Sequence, residues 1–103
     1  MTEDYNEALK WYRKATDAGN ASAMYRIGDF YENGYGVTKD FNEALKWYLK
    51  AAEAGNSNAM VNIGNLYLDG LGVTKNIQKA IEWYQKAADL GDVFAKNKLE
   101  ELK

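Results

Sequence analysis

Between residues 40 and 54 the apolar side chains fall at Phe41, Ala44, Leu45, Tyr48, Ala51 and Ala52, with charged and amide residues between them. Spacings of three and four put these positions on one helix face. The pattern predicts a helix from about Asp40 to Ala54, with Asp40 as N-cap and Glu43 closing a capping box. Asp4 and Glu7 repeat that arrangement, whereas Asn76 keeps the cap but has Lys79 in place of the glutamate. Gly19, Gly55 and Gly91 stand where a left-handed residue ends a helix, and Asn20, Asn56 and Asp92 follow as caps for a second one. So short a connection predicts an antiparallel helix pair. The second helices are expected at about 21–33, 57–69 and 93–102, the first two stopped by Gly34 and Gly70.

The same elements recur because the sequence does. Residues 5–40 align without gaps on residues 41–76, with 22 of 36 positions identical, and a shortened third copy occupies 77–103. Trp11, Trp47 and Trp83 therefore recur every 36 residues, as do Tyr12, Tyr48 and Tyr84. Fixed periods of this length are the mark of a helical solenoid. The chain reads as one all-α domain over residues 1–103, a short α-solenoid of about six helices in antiparallel pairs.

Comparing copies separates positions with a structural duty from free ones. On the second helix only Ala23/Ala59, Met24/Met60, Ile27/Ile63, Gly28/Gly64 and Tyr31/Tyr67 match. They share one face, which reads as core. A mid-helix glycine costs about 1 kcal/mol relative to alanine, so Gly28 and Gly64 imply a neighbouring helix too close for a β-carbon. The third copy has Lys96, Glu100 and Lys103 at the Met, Gly and Tyr positions, and Arg13 and Thr16 replace Leu49 and Ala52 at the other end. Polar outer faces of this kind predict a capped, monomeric solenoid. The repeated tryptophans could form an aromatic cage. Identical neighbours in every copy favour core packing instead, with a cost of about 3–5 kcal/mol expected for Trp47→Ala.

Chemistry has little to work with. The 103 residues contain no His and no Cys, and formal net charge is -2. The commonest zinc ligands, the usual general base and the thiol nucleophile are therefore missing, so no enzyme, metal or cofactor is expected. There is no Lys/Arg run for nucleic acid and no apolar run long enough for a membrane. The start, MTEDYNEALK, lacks the regions of a signal peptide. "GYGVTKDF" has the glycines of a phosphate loop, but it follows a helix, lacks Gly-Lys-Ser/Thr and returns as "GLGVTKNI", which makes it a connection between helices.

The runs "AMYRIGDFYENGYGV" and "ALKWYLKAA" resemble the SEL-one-like repeat (SLR), a relative of the tetratricopeptide repeat with a longer inter-helix loop. The resemblance covers almost the whole chain, which starts on the second helix of a family unit and stops inside the first helix of another. It implies a right-handed superhelix whose second helices line a concave groove that takes peptides, and an adaptor role. The positions that differ between copies then become groove candidates: Ser22, Tyr25, Arg26, Asp29, Glu32 and Asn33 in the first copy, and Asn58, Val61, Asn62, Asn65, Leu68 and Asp69 in the second. Phe94, Asn97 and Glu101 complete the set. Such a groove mixes acids and amides with apolar anchors and suits a partner segment with apolar and basic residues. A solvated face without a ligand would vary in the same way. The alternative function is thus a designed or purely structural repeat scaffold with no native ligand.

Overall fold

In a computed structural model, which describes residues 4–102, the chain forms six helices in an elongated stack of 42 × 25 × 24 Å. They are α1 (Tyr5–Asp17), α2 (Ala21–Asn33), α3 (Phe41–Glu53), α4 (Ser57–Asp69), α5 (Ile77–Asp89) and α6 (Val93–Glu101). No strand occurs among the described residues. This is an all-α solenoid, and its helix limits lie where the caps placed them. Lys103 lies outside the described residues.

The caps act locally. Asp40 accepts hydrogen bonds from the backbone N–H groups of Asn42 and Glu43, at 3.0 and 3.1 Å, and Asn20, Asn56, Asn76 and Asp92 each accept one. The reciprocal half of the expected capping box is not made. The Asp40 N–H instead donates to the Tyr31 carbonyl at 2.9 Å, tying the loop back to α2, and Glu43 pairs with Lys46 at 3.7 Å. In the first copy Glu7 is used differently again, accepting from the Trp11 indole at 3.2 Å. Gly34 ends α2 at φ 72°, a left-handed conformation that a β-carbon disfavours.

Helix pairing is tightest across the longer loops, α2 with α3 and α4 with α5, rather than across the short turns. The cause is visible at the mid-helix glycines. A β-carbon on Gly28 would sit 2.6 Å from Cδ1 and Cε1 of Tyr48, and one on Gly64 would sit 2.7 Å from Cε1 of Tyr84. Each glycine is a socket for the tyrosine ring of the next helix. The two rings are completely buried, flanked by Ala44 and Ala51 or Ala80 and Ala87, which are equally inaccessible.

The tryptophans do not carry the core as expected. Trp11 is 60% exposed, while Trp47 and Trp83 are partly buried at its edge. Their shared feature is a lysine three residues on, with Lys14, Lys50 and Lys86 ammonium groups 4.8, 4.5 and 4.3 Å from the ring centroids. The invariant neighbours that suggested deep burial belong to the adjacent tyrosines.

Candidate functional site

The buried tyrosines set what the second helices present to solvent. The Tyr48 hydroxyl donates to Glu32 Oε1 at 2.7 Å, and the Tyr84 hydroxyl donates to Asn65 Oδ1 at 2.5 Å. Two groove candidates are therefore partly committed to the fold. An unpaired hydroxyl at these depths would cost about 1–3 kcal/mol, so each copy provides an acceptor, from a different helix position. Burial pushes both phenols up, Tyr84 to about 12 and Tyr48 further, the latter also raised by its bond to the Glu32 carboxylate. Both remain neutral donors at physiological pH.

Six of the fifteen candidates converge. Tyr25 from α2, Asn58, Val61, Asn62 and Asn65 from α4, and Phe94 from α6 line one open cleft of about 300 Å³, together with Asp92. Spacing explains the α4 set: positions 58, 61, 62 and 65 follow one another at helical intervals on a single face. Asn58 and Phe94 are exposed, the latter by 53%. Val61 is only 8% exposed, so most of this expected apolar anchor is spent on the core. Asn62 lies by the Tyr25 and Tyr48 hydroxyls and offsets part of their upward shifts, which for Tyr25 come from burial first and the Asp29 charge second. With its oxygen taken by Tyr84, Asn65 keeps its amide N–H groups for other use.

The other candidates lie elsewhere. Arg26 and Asp29 line a neighbouring cleft with Tyr5, Ala8 and Tyr12 of α1. Asn97 faces a cleft at the α6 end, beside Ile81 and Leu99. Asn33 is held by Asp29, donating to its carbonyl at 2.9 Å and to Oδ1 at 3.0 Å. Leu68 packs against the core, and Glu101 pairs with Lys98 at 3.9 Å. Ser22 and Asp69 are exposed outside the cleft. Asp92, which the sequence marks only as a cap, also lines the cleft. It caps α6 through Oδ1 and still faces the cleft, and its change from Asn56 in the preceding copy was the available signal.

A stack of helix pairs joined by glycine loops, with a varied face on the second helices, defines a helical repeat protein. A family model described as Sel1 repeat matches residues 1–20, 21–56 and 57–92, and the chain belongs to the Sel1 repeat family. Its unit boundaries join α2 to α3 and α4 to α5, the pairs that pack most tightly. Among solved structures, a Sel1 repeat protein from Oxalobacter formigenes is similar at 46% identity and TM-score 0.87, over 93% of this chain and 39% of that one. The protective antigen c5321 of uropathogenic Escherichia coli, which displays an SLR fold, aligns at 39% identity and TM-score 0.91, over 96% of this chain and 21% of that one. Helicobacter pylori cysteine rich protein B aligns at 30% identity and TM-score 0.87, over 94% and 73% of the two chains. The chain thus spans well under half the length of the first two. No match was found among curated proteins. Sel1 repeat proteins are generally non-catalytic modules for protein interaction. No helix among the described residues is long and apolar enough to cross a membrane.

Proposed function

We propose that the chain is a peptide-binding interaction module, and that its site is the cleft between α2, α4 and α6. The observation that carries this reading is the meeting of Asn58, Asn62 and Asn65 with Tyr25 and Phe94 in one recess. Asparagine amides offer both donors and acceptors, which match the alternating N–H and C=O groups of an extended backbone. Phe94 and the Tyr25 ring supply the apolar contact, as aromatic side chains do in many interfaces. Asp92, the acid in the lining, favours a basic residue beside the apolar one. Arg26 is the single cation on α2 and α4, and it is drawn over the Tyr25 ring at 5.6 Å from the ring centroid. The occupant is an extended segment of a partner protein with an apolar residue next to Lys or Arg.

Selection from a random peptide library tests this. The chain should enrich such segments, and Asn58→Ala and Phe94→Ala, both at exposed positions, should each lose the enrichment with the fold retained by circular dichroism. Enrichment of nothing, or of the same segments by both variants, would leave a purely structural scaffold as the better account.

A further inference from the structure

The three short turns of the stack, between α1 and α2, α3 and α4, and α5 and α6, are built alike. In each, the glycine N–H donates to the carbonyl three residues back and the next N–H to the carbonyl five residues back, at 2.8–3.1 Å. The cap that follows then accepts from the N–H of Ala23, Ala59 or Ala95, at 2.9 Å in all three. Backbone and cap close the turn, so the residues around them are free to vary. The first two turns carry Ala18, Ala21 and Ser22, and Ala54, Ser57 and Asn58; the third carries Leu90, Val93 and Phe94. These three are 58%, 68% and 53% exposed, so the core does not account for them either. Other large exposed apolar side chains occur singly along the described chain and need no explanation, whereas three within five residues mark a contact surface.

The same turn has gained charge. Residues 15–23 and 51–59 hold one acid each, residues 87–95 hold two, Asp89 and Asp92, and none of the three stretches holds a base. Asp89 accepts from Gln85 Nε2 and Asp92 from the Ala95 N–H, both at 2.9 Å and through one oxygen each. Neither makes an ion pair among the described residues. The lysines on either side are turned elsewhere, Lys86 to the Trp83 ring at 4.3 Å and Lys96 to the cleft beside Ile81. Asp92 and Phe94 also line the cleft between α2, α4 and α6, so cleft and turn run into one another through these two residues.

Resting on the reading of that cleft as the peptide site, we propose that the α5–α6 turn is its second anchor. The bound segment leaves the cleft past Phe94 and Asp92 and seats a further apolar side chain on Leu90 and Val93. Its chemistry follows from the order of these groups: an extended partner segment with an apolar residue on either side of a Lys or Arg, the cation facing Asp89 and Asp92. An anionic membrane surface fits less well, because it meets two uncompensated acids. A second copy of the chain fits less well too, because a two-fold contact sets the same acids against each other.

Leu90→Ala combined with Val93→Ser gives the third turn the residues of the second, Ala54 and Ser57, which close the same turn there. Selection from a random peptide library should return apolar–basic–apolar segments with the unchanged chain. With the double variant it should return segments that keep only the first apolar residue and the base. A peptide enriched by the unchanged chain should bind the double variant about tenfold more weakly. Serine in place of its second apolar residue should weaken binding to the unchanged chain by the same factor, with no further loss in the double variant. Equal affinity of the two chains for that peptide, or enriched segments without a second apolar position, would overturn this proposal and leave the cleft in place. Enrichment of nothing by the unchanged chain would overturn the cleft as a peptide site, and the second anchor with it. Binding to phosphatidylserine vesicles, or self-association in sedimentation, that the double variant abolishes would give the patch another occupant and likewise overturn the proposal.

Discussion

A β-carbon added at Gly28 would lie 2.6 Å from two carbons of the Tyr48 ring and 3.2 Å from the Ala44 carbonyl oxygen. The ring is fully buried and cannot swing away, so overpacking should outweigh the improved helix propensity. Gly28→Ala is expected to destabilise by about 1–2 kcal/mol in urea unfolding, where an exposed mid-helix glycine would gain about 1 kcal/mol from the same change. The tyrosines also set an alkaline limit. Unfolded tyrosines ionise near pH 10, whereas burial holds Tyr84 neutral to about 12 and Tyr48 beyond that. The unfolded chain loses protons first, so the stability from this source is complete below pH 10 and falls as pH rises through 12. Tyr84→Phe should flatten that decline when urea midpoints are compared between pH 9 and 11.5, and equal slopes would contradict the assignment. The tryptophans are the weaker anchors. Trp11→Ala should cost less than about 1 kcal/mol and Trp47→Ala about 2–3 kcal/mol, measured by the same unfolding. The sequence showed that Trp and Tyr recur together but not which of the two points inward. Both sit on the first helix one residue apart, and only the neighbouring glycine helix selects the tyrosine.

Each helix is bounded by residues whose duties are local, which is why the element limits were legible. The N-cap side chains satisfy N–H groups two or three residues on, and a glycine at positive φ ends or follows each of α1 to α5. What lay beyond reach was which remote group would take each remaining donor. The capping box was half right because the Asp40 N–H went to the Tyr31 carbonyl across the loop, a partner no short-range spacing reveals. Asp40→Ala should therefore cost about 1–2 kcal/mol, since two backbone N–H groups lose their acceptor. Glu43→Ala should cost less than about 0.5 kcal/mol, as its contact is an exposed pair with Lys46. Thermal melts of the two variants separate these values, and equal losses would restore the full box. The candidate cleft was legible to the same degree. Comparing copies found Tyr25, Asn58, Asn62, Asn65 and Phe94 because their variation is periodic. It could not foresee that Glu32 would be tied to Tyr48 sixteen residues on, or that Val61 would be mostly covered.

Over the whole molecule, core and candidate site divide the same helices between them. Buried tyrosines in glycine sockets fix the spacing of successive pairs, and among the varied side chains Glu32, Asn65, Val61 and Leu68 also serve that frame. Hydrophobic burial is carried mostly by alanine, tyrosine and aliphatic positions that repeat, so the exposed cleft positions Asn58 and Phe94 can change without loss of the stack. The most direct measurement is a chemical-shift titration of the labelled chain with a peptide enriched from the library. Perturbations should concentrate at Asn58, Asn62, Asn65 and Phe94 and leave the Lys-capped tryptophan indoles of α3 and α5 unmoved. Shifts confined to those tryptophans, or to the ends of the stack, would contradict a peptide site between α2, α4 and α6.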